Sequence, residues 1–297
     1  MQEKDTFSRY HPAVNFVYFG FVLIFSMLFM HPLTLLLSLG CGLCYAVSLK
    51  GREMAKSAVF LVPAAILTAV INPLFTHRGV TVLLYLPTGN PLTGESIVYG
   101  IAASFMLSSV IIWFICFSQV ITADKITFLF GRILPAVSLV IVMVLSFIPR
   151  FKEKFKTVRE TQRFFGPDAA EGRLKDKIKN GGAVLSIMTG WALESAVETA
   201  DSMKSRGYGE RRRSFYNVYS FSRRDGWMLA FIILCGIYVF YGYFSGIISW
   251  QYYPAIKIGG LSPDGAGVYA AFAALCLGPV IVNLAEGRKW QKSRSKI

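Results

Sequence analysis

The chain has 297 residues, of which 54% are hydrophobic and 16% are charged, and its net charge is +14. A soluble domain of this length would seldom be so apolar. The apolar residues form continuous blocks long enough to cross a bilayer of roughly 30 Å, whereas a β-barrel would show short alternating strands. We therefore expect an all-α polytopic membrane protein. The positive charge then reflects the cytoplasmic excess of lysine and arginine in membrane proteins, and no nucleic-acid partner is expected.

Six transmembrane helices are predicted, four of them early in the chain. The six are Val14–Met30, Leu33–Leu49, Ser57–Phe75, Ser96–Ile121, Gly226–Tyr243 and Gly267–Leu284. Between the third and the fourth, residues 79–95 hold an apolar stretch that is too short to span, with turn residues at 87–91. We expect an outer hairpin there, with Arg78 and Glu95 as solvated charges.

The region between the fourth and fifth spans decides the topology. Its apolar stretches, Ile133–Ile148 and Ala183–Leu193, are short, and Arg150–Asn180 between them contains ten lysines and arginines. If both stretches crossed, this basic segment would lie outside, which the positive-inside rule disfavours. With six crossings and both termini cytoplasmic, 29 of the 31 lysines and arginines lie inside. The sequence therefore predicts membrane regions at 1–121 and 226–297 and a cytoplasmic region at 122–225.

The cytoplasmic region is predicted to contain two long amphipathic helices. In the first, Phe151, Phe155 and Val158 recur at helical spacing among lysines and arginines, and Gly166-Pro167 ends the helix. The second carries an apolar stripe formed by Leu193, Ala196, Val197, Ala200 and Met203. Basic amphipathic helices also adsorb to anionic lipid, and this simpler explanation is kept beside a role in binding a partner.

The end of the second amphipathic helix is predicted at Gly207. Glycine suits the position that follows a helix, because it adopts the left-handed backbone conformation without strain. Lys204 and Arg206 lie in the last turn, where cations face the negative end of the helix dipole. Glu198 and Asp201 lie along another face of the same helix.

No motif for catalysis or energy conversion is present. The chain has no G-x-x-x-x-G-K-[ST] loop for ATP and no H-E-x-x-H pair for zinc. Its spans are nearly free of the ionisable residues that ion-coupled carriers usually place in the bilayer. Cys41 and Cys44 have the spacing of half a metal or redox site, but nothing completes it, so buried thiols are expected. The chain is therefore expected to be non-catalytic, with no metal or cofactor of its own.

Four short motifs carry a family resemblance by their order and spacing. They are Asn72-Pro73-Leu74-Phe75, Leu92-Thr93-Gly94-Glu95, Ser146-Phe147-Ile148-Pro149 and Ser205-Arg206-Gly207-Tyr208. Together they resemble the transmembrane, or T, component of energy-coupling factor (ECF) transporters, the EcfT/CbiQ family. The resemblance covers nearly the whole chain. It implies a subunit of an ABC-type importer of vitamins or transition-metal ions in a bacterial or archaeal cell membrane.

The resemblance also implies partners and a mechanism. The chain would be a scaffold that couples ATP hydrolysis by two P-loop ATPase subunits to uptake through a small substrate-binding membrane subunit, the S component. In this family the ends of the two cytoplasmic coupling helices contact the ATPases through arginines of Ala-Arg-Gly motifs. An arginine beside a helix-ending glycine can reach past the helix and pair bidentately with a carboxylate. Two alternatives are kept: a permease of another ABC class with its own substrate path, and a lipid-interacting membrane protein.

The two Ala-Arg-Gly motifs are matched unequally. In the second, Ser205 replaces the alanine and Arg206-Gly207 is retained, so Arg206 is the expected principal coupling residue. In the first, the sequence reads Phe164-Phe165-Gly166, and the arginine is missing. Arg163 and Arg159 are the candidates to replace it. The resemblance places Asn72, Pro73 and Pro149 in structural motifs.

Overall fold

The computed structural model describes residues 5–76, 79–85, 91–131, 135–165, 174–209, 219–247, 250–254 and 263–294. The chain divides into two compact units. One, called here the membrane unit, consists of residues 1–126 and 219–297. The other, the insert unit, consists of residues 127–218. The described secondary structure is almost entirely helical, which confirms the predicted all-α class.

The membrane unit contains the six predicted spans as helices. They are α1 (Pro12–Leu28), α2 (Pro32–Lys50), α3 (Arg52–Phe75), α4 (Gly94–Val120), α8 (Arg223–Phe244) and α9 (Pro263–Arg294). Among the described residues, α2, α4, α8 and α9 contain segments long and apolar enough to cross a membrane, and α1 and the Val59–Phe75 part of α3 are shorter apolar helices. As far as the structure describes them, α5 (Ala123–Gly131), α6 (Pro135–Phe165) and α7 (Leu174–Ser205) contain no such segment.

Helix α1 contributes a large part of the buried core of the membrane unit. Tyr18, Val22 and Phe25 are fully buried and recur at helical spacing, so one face of α1 enters the core. The ring of Phe25 meets that of Phe272 on α9 at 6.4 Å between centroids. Trp113 of α4 is buried in the same cluster. The apolar residues of α1 therefore hold the surrounding helices together by close packing, the main attraction between helices in lipid.

A group of buried hydroxyls joins three of these helices. The Ser38 hydroxyl on α2 lies 2.8 Å from that of Ser26 on α1 and 2.6 Å from that of Ser109 on α4. The indole N–H of Trp113 donates to the same Ser38 oxygen at 3.0 Å. Small hydroxyl residues allow helices to approach closely and satisfy one another's polar atoms away from water.

The strands of the predicted hairpin form, and the location of the hairpin on the outer side stays a prediction; Glu95, however, is not a solvated charge. Strand β1 (Val82–Tyr85) pairs antiparallel with β2 (Pro91–Thr93), which leads directly into α4. Glu95 is only 5% exposed, and its carboxylate accepts hydrogen bonds from the amide of Thr81 at 3.2 Å and from its hydroxyl at 2.6 Å. The negative charge also suits the first turn of α4. Arg78 lies outside the described residues.

A second set of aromatic side chains covers the turn between α1 and α2. The Tyr252 hydroxyl donates to the Met30 carbonyl at 2.6 Å, and the Trp250 ring meets the His31 ring at 4.9 Å between centroids. The Tyr252 ring also meets that of Tyr99 on α4. Residues 250–254, in the loop between α8 and α9, therefore pack on the membrane unit, for which the sequence pattern gave no indication.

A buried lysine follows α4 and secures the N-terminal turn of the chain. The ammonium of Lys125, on α5, donates to the Ser8 carbonyl at 2.5 Å and to the Val120 carbonyl, at the end of α4, at 2.9 Å. A cation beside the C-terminal carbonyls of a helix is favourable. Burial nevertheless lowers the pKa of Lys125 from 10.5 to about 8, and the negative charge of Asp5 opposes this shift.

The insert unit is built on the two long helices α6 and α7. Helix α6 continues through Pro149, so it joins the Ile133–Ile148 stretch to the first predicted amphipathic helix. Helix α7 likewise joins Ala183–Leu193 to the second amphipathic helix. The short apolar stretches are thus parts of long helices, and the cytoplasmic location of the insert unit stays a prediction.

Candidate functional site

Helices α6 and α7 pack antiparallel through a small apolar core. Val158 of α6 and Val184 and Met188 of α7 are buried, with Phe151 and Trp191 packed against them. The Trp191 ring stacks on that of Phe147 at 5.3 Å between centroids and 21° between planes. The residues that contact one another have increasing numbers along α6 and decreasing numbers along α7, so the two helices run antiparallel. Two residues of the amphipathic pattern predicted for α6, Phe151 and Val158, are thus used for packing within the chain, whereas the third, Phe155, is 44% exposed.

The C-terminus of α7 ends at the predicted glycine. Gly207 has φ +82°, in the left-handed region that favours glycine. The Tyr208 amide donates to the Met203 carbonyl at 3.0 Å, and the Gly207 amide donates to the Lys204 carbonyl at 3.1 Å. These two bonds define a Schellman motif, which satisfies helix-end carbonyls that would otherwise lack donors. The direction of the chain after Arg206 is therefore set by backbone geometry.

Arg206 occupies the last position before this turn. Its side chain is exposed, and the described residues offer its guanidinium no hydrogen bond or ion pair. The neighbouring Ser205 hydroxyl donates to the Ser202 carbonyl at 2.9 Å, so it serves the helix backbone. A guanidinium at a rigid helix end can present its planar fork of donors to a carboxylate without reorganisation of the backbone.

The apolar stripe predicted along the second half of α7 is left largely exposed by the described residues. Leu193 is 65% exposed and Val197 is 62% exposed. On another face, Glu198 and Asp201 are also exposed, and neither forms an ion pair within the described part of the chain. A helix with an uncovered apolar stripe and an uncovered acidic face has the character of a binding surface.

The two candidate arginines of α6 lie at different distances from the C-terminal end of that helix. Arg159 and Arg163 are both exposed, and each has a contact within the structure. Arg159 lines a groove between α6 and α7, whereas Arg163 lies one turn nearer the helix end. Position alone therefore favours Arg163 for a contact beyond the end of α6. Gly166 lies outside the described residues.

The Asn72-Pro73 motif has a packing role in the membrane unit. Proline lacks an amide N–H, so Pro73 leaves the Ala69 carbonyl, four residues earlier, without its helical donor. Gly100 of α4 lies against this point, because a Cβ built there would be 2.8 Å from the Ala69 oxygen and 3.1 Å from Pro73 Cδ. The Asn72 side-chain oxygen accepts a hydrogen bond from the Thr76 hydroxyl at 3.1 Å. The motif thus allows α3 and α4 to approach closely.

Pro149 has a related effect inside α6. It removes the donor that the Leu145 carbonyl would use, yet the helix continues through it. The Ser146 hydroxyl donates to the Met143 carbonyl at 2.8 Å just before this point. Pro149 therefore marks a change of character along one helix, from an apolar half to a basic amphipathic half.

Two sets of residues at these sites were not singled out from the sequence. Val184, Met188 and Trp191 follow helical spacing, but they were assigned to a separate apolar stretch. Gly100 carries no local signal, since a glycine inside an apolar helix does not indicate which helix it approaches. Among the described residues, no group of three or more His, Cys, Asp or Glu is arranged to hold a metal ion.

Comparison with known proteins decides the family. The profile of the CbiQ family, described as cobalt transport protein, matches residues 4–216. The chain belongs to the CbiQ family. The matched range contains α1 to α7 and every candidate residue named above, including Arg206 and Gly207.

A relative in Lactobacillus helveticus (strain DPC 4571) supports this assignment. It is the energy-coupling factor transporter transmembrane protein EcfT, and it is 32% identical to this chain over 99 residues. The match covers 33% of this chain and 36% of the relative, so the chain matches about a third of the relative's own length. The CbiQ-family chain is therefore a multi-pass membrane component of the ECF type, which confirms the resemblance drawn from the four motifs.

Proposed function

We propose that this CbiQ-family chain is the non-catalytic scaffold of an ECF-type importer. It couples ATP hydrolysis by two partner ATPases to uptake through a small substrate-binding membrane subunit for a vitamin or metal ion. Both termini and the insert unit lie on the cytoplasmic side, where ATP is present. The cytoplasmic charge excess counted from the sequence supports this orientation.

The exposed guanidinium of Arg206 at the Schellman end of α7 carries the proposal. A coupling element must transmit displacement, and a 32-residue helix with a backbone-defined end is stiff enough to do so. Its cation projects at the end of the helix, and the described residues provide it with no partner. An acidic groove on an ATPase would supply the carboxylate that this arrangement fits.

Helix α6 supplies the second contact in this proposal. Arg163 is assigned to the second ATPase in place of the missing motif arginine, because Arg159 lies further from the helix end. The two contacts are then chemically unequal, since the sequence after Arg163 reads Phe164-Phe165-Gly166 and lacks the Arg-Gly pair found at Arg206-Gly207. The exposed apolar stripe of α7, with Leu193 and Val197, is assigned to the substrate-binding subunit.

Charge reversal at Arg206 tests the proposal. Arg206→Glu should abolish uptake and the recovery of ATPase subunits with the purified chain, because a carboxylate would face the acidic groove. Arg206→Lys should retain part of both, since lysine keeps the charge but loses the bidentate fork. The measurements are substrate uptake in cells and the ATPase-to-scaffold ratio after affinity purification.

Lys175→Glu is the matched control. It makes the same charge change on the same helix, and Lys175 is exposed in the first turn, far from Arg206. Its uptake should stay near that of the wild type, and all three variants should reach the membrane in equal amounts. Wild-type uptake and ATPase recovery in Arg206→Glu would contradict the proposed role. Tight binding of substrate to this chain alone would instead favour a permease with its own substrate path.

A further inference from the structure

The N-terminal segment, residues 5–11, is packed into the membrane unit. Phe7, in a short 3-10 turn, is fully buried, and its ring meets that of Tyr18 on α1 at 5.0 Å between centroids. The side-chain oxygen of Asn283, on α9, accepts hydrogen bonds from the amides of Thr6 and Phe7 at 3.0 and 3.1 Å. Chain termini are usually poorly ordered unless such contacts hold them. The N-terminal segment is therefore a fixed part of the helix bundle.

The first crossing of the chain from the membrane unit to the insert unit lies beside this segment. The chain leaves the membrane unit after Ile126. One residue earlier, the ammonium of Lys125 donates to the Ser8 carbonyl at 2.5 Å and to the Ser8 hydroxyl oxygen at 3.2 Å. Its third hydrogen bond goes to the Val120 carbonyl at the end of α4. Charge-assisted hydrogen bonds, which are stronger than neutral ones, therefore join the first crossing to the N-terminal segment.

The second crossing is joined to the same segment a few residues further along. The chain re-enters the membrane unit at Tyr219. The amide of His11 donates to the Asp225 carboxylate at 3.1 Å, and Nε of Arg224 donates to the Tyr10 hydroxyl at 2.9 Å. The Arg224 guanidinium also lies 4.3 Å from the centre of the Tyr10 ring, a distance typical of a cation–π contact. The N-terminal segment thus contacts both crossings.

The two crossings also lie near each other. Burial and, to a smaller extent, the negative charge of Asp124 raise the pKa of Tyr219. Asp124 precedes the insert unit in the sequence and Tyr219 follows it, so the chain leaves and re-enters the membrane unit at neighbouring positions. A short segment that binds on both sides can hold these positions at a fixed separation.

We propose that the N-terminal segment is a clasp that makes the two crossings move as one. With the clasp closed, both connections of the insert unit share one base, so a displacement of α6 or α7 acts on the whole helix bundle. With the clasp open, the same displacement pulls separately on α4 and on α8, and part of it is lost in local deformation. This consequence rests on the coupling function proposed above, whereas the clasp itself depends only on contacts within the membrane unit.

Hydrogen exchange of the purified full chain tests whether the clasp opens as one cooperative unit. Tyr10→Phe removes the acceptor of Arg224 and keeps the ring, so it changes the second crossing. Exchange of the Gly226 amide there should become about fivefold faster, which corresponds to the loss of about 1 kcal/mol. The Ile126 amide, at the first crossing, should accelerate by a similar factor, because opening at one crossing releases the other.

Lys125→Met makes the reciprocal change at the first crossing. The lost hydrogen bonds are buried and charge-assisted, so exchange of the Gly226 amide at the second crossing should become about tenfold faster. Ser38→Ala is the matched control, because it removes hydrogen bonds of the hydroxyl group shared by α1, α2 and α4. It should leave exchange at both crossings unchanged. Acceleration only at the crossing that was changed, or equal acceleration in Ser38→Ala, would overturn the clasp.

Transport by the assembled complex tests the consequence for coupling. Tyr10→Phe should retain ATPase recovery and ATP hydrolysis but lower the substrate taken up per ATP hydrolysed. Unchanged uptake per ATP, beside accelerated exchange at both crossings, would overturn the role of the clasp in coupling. Failure to recover ATPase subunits with the wild type would instead contradict the proposed function, and the exchange measurement on the chain alone would still decide whether the clasp exists.

Discussion

Gly100→Ala probes the close approach of α3 and α4 at the Asn72-Pro73 motif. The added Cβ would lie 2.8 Å from the Ala69 oxygen and 3.1 Å from Pro73 Cδ, and the nearer of these is a backbone atom that cannot rotate away. Overpacking of this kind costs about 1–3 kcal/mol. Alanine in a helix interior recovers about 0.5–1 kcal/mol relative to glycine. A net loss of about 1–2 kcal/mol in the free energy of unfolding is expected.

Gly40→Ala is the control for Gly100→Ala. It brings the same gain in helix propensity but no close contact, so the difference between the two variants measures the packing effect. Gly40 lies inside α2 with nothing within 4 Å of a built Cβ, so this variant should be neutral or slightly more stable than the wild type. Thermal unfolding of both purified variants in the same detergent measures the difference, and a fall of about 1.5 °C per kcal/mol is expected for Gly100→Ala. If the two variants unfold at the same temperature, the proposed contact between Gly100 and the Ala69 carbonyl is wrong.

Two further predictions concern the end of α7 and the buried lysine. Gly207→Ala should cost about 1–2 kcal/mol in the last turn of α7, because alanine is strained at φ +82°. Hydrogen exchange at the Gly207 and Tyr208 amides should then accelerate, and unchanged exchange would show that the turn does not need glycine. Lys125 has a pKa of about 8 when folded and 10.5 as its ordinary value, so between these values the unfolded chain binds more protons and stability rises with pH. The melting temperature of the wild type should therefore rise relative to that of Lys125→Met between pH 7.5 and 9.5, and parallel curves would contradict the assigned burial.

Much of the fold follows from sequence features that act locally. A continuous apolar run must form a helix in lipid, because no water is available there for unpaired backbone groups. The six predicted spans accordingly appear as helices, with boundaries within about five residues of the prediction, except that α9 extends ten residues beyond the predicted Leu284. The end of α7 could also be predicted, since a positive φ favours glycine and Gly207 follows the last periodic residue.

The boundaries of the insert helices were less predictable. Proline is usually read as the end of a helix, and on that basis the Ile133–Ile148 stretch was separated from the segment after Pro149. The structure joins them in α6, because loss of one hydrogen bond is tolerated when the turns on both sides are well formed. The burial of Glu95 could not be predicted from its neighbours in the sequence either. It depends on Thr81, which the hairpin brings back to the start of α4.

The sequence by itself determined the class of protein, the positions of the apolar helices, the family and the identity of Arg206-Gly207 as a helix end. Each of these depends on composition, on neighbours a few residues apart or, for the family, on the order and spacing of short motifs along the chain. Only the tertiary structure decided that Gly100 lies against the carbonyl freed by Pro73, that Lys125 reaches Ser8, and that Arg159 lines a groove. These contacts join residues distant in the chain, and they depend on how whole helices pack, which no local pattern of residues specifies.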